Sequence, residues 1–203
     1  PMKLFYSPAS PYVRKCMVVA HELGLAGRIE HLAAAANPVN RDPNIVRVNP
    51  LGKVPTLFTD DGAVLYDSRV ICEYLNALGN GSLFPAEAAQ RWTTLTEQAL
   101  GDGILDAALL ARYEGAMRPE PLRWADWSAG QIDKIRTGVA AIDARADGFG
   151  ARVDIGTITF GCVLGYLDLR FPDLNWRAGN GRAAQWFERF NARPSMQATL
   201  PRA

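Results

Sequence analysis

Three short stretches of this chain hold residue types able to do chemistry. In "YSPASPYVRK", Ser10 stands at the start of an apolar helix pattern, where the dipole and a hydroxyl donor would favour a bound thiolate. In "NPLGKVPTL", Pro55 opens a β-type run. A cis bond there would turn the Val54 N–H and C=O outward, free to pair with an extended peptide. In "YDSRVICEYL", Asp67 and Ser68 open a second helix. The helix N-terminus and Ser68 would receive a carboxylate while Asp67 attracts an ammonium, which together recognise the zwitterionic end of an amino acid. Each stretch also has a plain structural reading: a helix cap at Ser10, a trans edge proline at Pro55, and capping alone at Asp67 and Ser68.

The elements that must position these groups follow from periodicity. "KLFY" is a short strand stopped by "SPASP". Ser10 suits an N-cap and Pro11 the first helical position, and Val13, Cys16, Met17 and Ala20 then share one face. "RIEHLAA" reads as a second strand and "ANPVNRDPN" as a loop. "PTLFT" and "AVLY" flank "DDG" as an antiparallel hairpin, and Val70, Ile71, Tyr74, Leu75 and Leu78 form a helix face closed by Gly79. The β-α-β then β-β-α order predicts an α/β domain with a mixed four-stranded sheet, its first two strands parallel.

After a short linker the pattern is helical only. Residues 87 to 114 form one helix with Gly101 and Gly103 as kink points, and Ser128 to Ile142 a second. Ile155 to Leu167, without a charge, is a buried helix, and Ala183, Trp186, Phe187 and Phe190 mark another. The expected division is residues 1–79 as the α/β domain, 80–86 as linker and 87–203 as an all-α domain.

Composition narrows the function classes. A net charge of +1 gives no drive toward nucleic acid or an anionic membrane as main partner. No uncharged apolar run reaches the ~18 to 20 residues of a membrane span. Cys16, Cys72 and Cys162 are odd in number and scattered, which reads as buried thiols in a reducing cytoplasm. His21 and His31, the only histidines, have no partner at ligand spacing, so no metal site is expected.

In order along nearly the whole chain, "YSPASPYVRK", "NPLGKVPTL", "LYDSRVICEYL" and "DIGTITFGCVLGYLDLR" resemble the cytosolic glutathione S-transferases, in particular small bacterial members with a serine-type active site. The resemblance implies a thioredoxin-like N-terminal domain with cis Pro55. It also implies that the Val54 backbone pairs with the glutathione cysteine, that Asp67 and Ser68 hold the γ-glutamyl end, and that Lys53 reaches the glycyl carboxylate. Ser10 is then the catalytic hydroxyl, with Tyr6 the competing candidate. No cofactor is implied beyond glutathione as co-substrate. The partners implied are glutathione, a small hydrophobic electrophile and a second copy of the chain in a homodimer, with Arg69 and the first long helix of the second domain as contacts.

The electrophile is expected between the domains, against Pro8, Ala9 and Tyr12 and against Ile104, Ala108 and Tyr113, in an apolar and aromatic lining. Asp102 either reaches a γ-glutamyl ammonium across the subunit boundary or is a solvated helix acid. With serine at position 10, mixed-disulfide chemistry through that residue is unavailable, which disfavours a reductase or peroxidase. A glutathione-binding or regulatory module without turnover is the alternative to a transferase. The late helix of the family usually opens with Ser/Thr and carries Asp three residues on; here Asp154 and Thr157 stand in the reverse order.

Overall fold

The computed structural model describes residues 1–203. Strand β1 (Met2–Tyr6) runs into helix α1 (Pro11–Glu22), and the chain returns through β2 (Ile29–Ala33) parallel to β1. A single-turn helix α2 (Pro43–Val46) follows, then the hairpin β3 (Thr56–Phe58) and β4 (Val64–Leu65), and helix α3 (Ser68–Leu78). The sheet order is β2-β1-β3-β4, with β3 antiparallel to β1. This is the expected mixed four-stranded sheet. Helix α2 was not expected; "ANPVNRDPN" hides it because a single capped turn shows no periodicity, yet Asp42 caps it by accepting from Asn44 N at 2.9 Å.

The C-terminal domain contains α4 (Ala88–Ala116), α5 (Ala125–Ala146), α6 (Ile155–Arg170), α7 (Gly181–Asn191) and the short α8 (Pro194–Gln197). Helix α6 is the central post: every residue from Ile155 to Leu167 is buried, so its uncharged run needs no polar face. It packs against both α4 and α1, which joins the two domains. All three cysteines are buried and free.

The start of α6 explains the reversed residue pair. Asp154 accepts from Thr157 N at 3.0 Å, while the Thr157 hydroxyl accepts from Asp154 N at 3.1 Å, so the exchange preserves a reciprocal capping box. Arg152 adds a 2.6 Å bond to Asp154 and another of 2.6 Å to Glu97 on α4. Asp154→Ala is therefore expected to lower stability by about 2 kcal/mol, at the upper end for a lost cap, read as a shift in urea midpoint with unchanged slope. A loss below ~0.5 kcal/mol would mean that the cap contributes nothing.

Candidate functional site at the edges of three elements

The loop before β3 is fixed by short-range bonds. Asn49 donates to the Thr56 hydroxyl at 2.9 Å and accepts from Leu51 N at 3.0 Å, while the Thr56 hydroxyl donates to Lys53 O at 2.8 Å. Gly52 is required at this turn: its φ is +63°, and a Cβ would lie 3.1 Å from the Val46 side chain. The Val54–Pro55 bond is cis. Val54 precedes the strand, and its N–H and C=O have no hydrogen-bond partner in the chain. Lys53 is exposed and Pro55 buried.

The start of α3 lies close by in the fold. Asp67 is its N-cap, accepting from Arg69 N at 2.9 Å, and its carboxylate also takes two bonds from the Arg69 guanidinium, at 3.2 and 2.8 Å. Arg69 holds the Asp67 carboxyl below the usual carboxylate range. Ser68 is 3% exposed, and its hydroxyl makes no hydrogen bond within the chain. The N–H groups of Ser68 and Val70 are also without partners, as expected of a first helical turn. Three donors and one carboxylate thus stand together, and α1 backs them through a Cys16 Sγ contact of 3.9 Å to Ser68 O.

Ser10 caps α1 by accepting from Val13 N at 3.2 Å. Its hydroxyl proton has no acceptor in the chain, so the same oxygen that caps the helix can donate outward. Tyr6 differs: its ring stacks on His31 of the neighbouring strand with centroids 4.1 Å apart. Pro8 is exposed, Ala9 half-buried, and Pro8 O accepts from Arg202 N at 3.0 Å, which brings the C-terminal tail over this turn.

The wall contributed by α4 differs from expectation. Ile104 is 3% exposed and Ala108 fully buried, and the opening that Ile104 lines lies between α4 and α5. Ile104 points at α5, where a Cβ on Gly138 would come within 2.4 Å of it. The residues facing α1 are Asp102 and Asp106, with Tyr113 further along the same face. Lys15 on α1 is wholly buried and donates to both Asp102 oxygens, at 3.0 and 2.9 Å, and to Gln98 at 3.2 Å. Burial opposes the charge on Lys15, and the Asp102 carboxylate outweighs it and pushes its pKa up. Asp102 is thus an ion-paired acid in the seam between α1 and α4, not a solvated one. Tyr12 donates to Asp106, and burial together with that bond pushes its pKa up. Its proton is committed to Asp106, which leaves the ring as its contribution to the cleft. Burial raises the pKa of the Tyr113 and Tyr166 hydroxyls above the ordinary tyrosine value, and the Arg112 charge opposes it at both.

A thioredoxin-like sheet domain on a helical domain, with donors gathered at two helix N-termini and at a free backbone before a cis-proline, defines a class of thiol-peptide-binding folds. The chain belongs to the glutathione S-transferase family. The N-terminal domain model of that family matches residues 9–78 and the C-terminal domain model residues 125–189. The uncharacterised GST-like protein YibF of Escherichia coli (strain K12) is 31% identical over 98% of both chains. A glutathione transferase family member from Pseudomonas fluorescens Pf-5, solved with bound glutathione, is 45% identical, covers 100% of both chains and superposes with a TM-score of 0.97. A second structure of a family member from that organism, also 45% identical over 100% of both chains and with a TM-score of 0.92, holds S-(propanoic acid)-glutathione.

Proposed function

We propose that the protein is a glutathione transferase that lowers the pKa of the glutathione thiol and directs it at a small electrophile. The observation that carries this is the set of unpartnered groups: the Val54 backbone, the Ser68 hydroxyl and the first N–H groups of α3, and the outward proton of Ser10. In this reading Val54, beside Pro55, pairs with the cysteinyl backbone. Asp67 and Ser68 take the γ-glutamyl end, and Lys53 meets the glycyl carboxylate. Residues 1–79 hold the peptide, 80–86 link, and 87–203 supply the second wall, with Pro8, Ala9, Tyr12 and Tyr113 around the electrophile. The relatives crystallised with glutathione and with an S-substituted glutathione support the same reading. The protein works as a cytoplasmic homodimer, with exposed Arg69 and α4 at the contact; sedimentation at the mass of one 22.2 kDa chain would reject that arrangement.

Ser10 has two roles in this scheme, capping α1 and donating to the thiolate. A free thiol titrates near ~8.5, and a hydroxyl donor with a helix N-terminus lowers that by about one to two units. Ser10→Ala is expected to leave glutathione affinity nearly intact and to raise the bound-thiol pKa by about one unit. Because the thiolate is the reactive form, turnover with an aryl chloride at pH 7 falls about tenfold and recovers as pH rises. The bound thiolate's ultraviolet absorbance, titrated against pH, reads the shift directly. Unchanged pKa and rate in Ser10→Ala would move the role to Tyr6 or to backbone N–H groups. Binding without any turnover in the unmodified protein would instead identify a glutathione-binding module.

A further inference from the structure

Helix α1 carries a strap along its length. The segment from Arg193 to Arg202 runs antiparallel to it and is tied at three levels. At the C-terminal end of α1, Glu22 accepts from Arg193 at 2.8 and 3.1 Å and from the Ser195 hydroxyl at 2.5 Å. Further back, Arg14 donates to Met196 O at 2.9 Å and to the Thr199 hydroxyl at 3.3 Å, and to Asn191 of α7 at 3.2 Å. Ahead of α1, Arg202 N donates to Pro8 O at 3.0 Å. The middle level is costly. Arg14 is 4% exposed, and its acceptors are all neutral. Its Nη1 has no partner and lies against α6, where a Cβ on Gly165 would come within 2.3 Å of it. A charge buried without an acid loses more hydration than an apolar side chain of that size would, so packing alone does not account for it.

The last level acts on the site. Ser10 N donates to Ser7 O at 3.2 Å, closing a turn with Pro8 and Ala9 at its middle, and Ser10 is both the end of that turn and the cap of α1. The two common forms of such a turn differ in the direction of the middle peptide, and Arg202 N fixes its carbonyl. We propose that Arg14 is a positioning residue for Ser10. By holding Met196 and Thr199 against α1, it delivers Arg202 N to Pro8 O and so sets the turn from which the Ser10 hydroxyl donates to the thiolate. This rests on the role of Ser10 in the transferase reading. A guanidinium suits the task because its planar fork bonds several acceptors at fixed angles, which a single ammonium does not.

The last bond belongs to a backbone N–H, and proline removes it. Arg202→Pro lacks that donor at an exposed position, while Arg202→Ala keeps it. The ultraviolet absorbance of bound glutathione thiolate, titrated against pH, is expected to shift upward by about half a unit in Arg202→Pro, with turnover of an aryl chloride at pH 7 falling about threefold. Arg202→Ala should match the parent in bound-thiol pKa. Both should keep the parental urea midpoint, which a general loss of stability would move. Arg14→Gln should raise the bound-thiol pKa at least as far, and Arg14→Lys should recover part of that shift. Arg14→Gln is expected to lose stability as well, so the decision rests on Arg202→Pro. Adding Arg202→Pro to Arg14→Gln should shift the pKa no further, because both act through one bond. A bound-thiol pKa in Arg202→Pro equal to the parent's, or fully additive shifts in the double variant, overturns the proposal and leaves the transferase reading standing. Should the pKa shift as expected while no aryl chloride is turned over, the transferase reading fails and the role of Arg14 stands. A parent that binds no glutathione overturns both.

Discussion

Lys15→Met is expected to lower the unfolding free energy by about 3–5 kcal/mol at pH 7, the cost of stranding one member of a buried ion pair. The side chain of Lys15 is wholly buried, and its ammonium is shared by both oxygens of Asp102 and by Gln98. Without it, a carboxylate that is 12% exposed is left in the seam between α1 and α4 with no cation. Domains of this size are stable by only ~5–15 kcal/mol, so the variant should unfold at much lower urea. The loss has a pH signature. Burial without a partner raises the folded-state pKa of Asp102 above its unfolded value near ~3.9. Such an acid costs nothing below the unfolded pKa, and its penalty grows as pH rises toward the folded one. Burial already raises the Asp102 pKa in the parent, where Lys15 offsets only part of it, so the gap between variant and parent widens as pH rises above that raised parental value. Adding Asp102→Leu should recover most of the loss, because an apolar pair removes the unpaired charge. A deficit under ~1 kcal/mol, or one flat with pH, would mean that the ion pair is not what fixes α1 on α4.

That ion pair also marks where the sequence stops being legible. Ser10, Asp67 and Ser68 could be placed because a cap, a following helix and a preceding turn are all local. The same holds for Pro11 at the first turn of α1 and for the hairpin around residues 60–62. Lys15 and Asp102 are 87 residues apart, and Tyr12 and Asp106 are 94 apart, so neither contact leaves a pattern in any short window. Lys15 sits among apolar residues of α1, and nothing beside it indicates that its partner lies in another domain.

Which side of α4 Ile104 and Ala108 serve is hard to read from sequence for a related reason. Helix α4 is buried on more than one side, by α1 and α6 and by α5, and an apolar residue fits any of them. A polar residue on such a helix is more informative. Asp102, Asp106 and Tyr113, spaced by four and seven, share a face, and that spacing was the available signal for the side turned toward α1. The departure of Asp154 and Thr157 from the family order shows the converse. A reciprocal pair of hydrogen bonds is indifferent to which partner comes first, so the local physics was preserved when the pattern was not.

Asp67→Ala is expected to weaken glutathione binding ten- to a hundredfold, about 1.5–3 kcal/mol, because the γ-glutamyl ammonium loses its carboxylate partner. Asp67 already accepts from the Arg69 guanidinium, so the ammonium would share this carboxylate with Arg69, while Asp102 and Asp106 on α4 are engaged by Lys15 and Tyr12. The bond from Asp67 to Arg69 N caps α3, and its loss costs about 1 kcal/mol of stability in addition. Asp67→Asn separates the two roles, since asparagine caps as well as aspartate but carries no charge. Calorimetry on both variants, with urea midpoints alongside, should show an affinity loss in Asn nearly as large as in Ala, with stability retained only in Asn. The pH profile follows from the depressed pKa that Arg69 imposes. A carboxyl whose folded pKa lies below its unfolded value keeps its charge throughout the neutral range, so its contribution to binding is full above about pH 4 and is lost as pH falls through the folded value. Affinity that weakened on going from pH 7 to pH 5 in the parent, and equally in Asp67→Asn, would assign that titration to another group. Unchanged affinity in a folded Asp67→Ala would reduce Asp67 to a helix cap and leave the peptide's amino end to be recognised elsewhere.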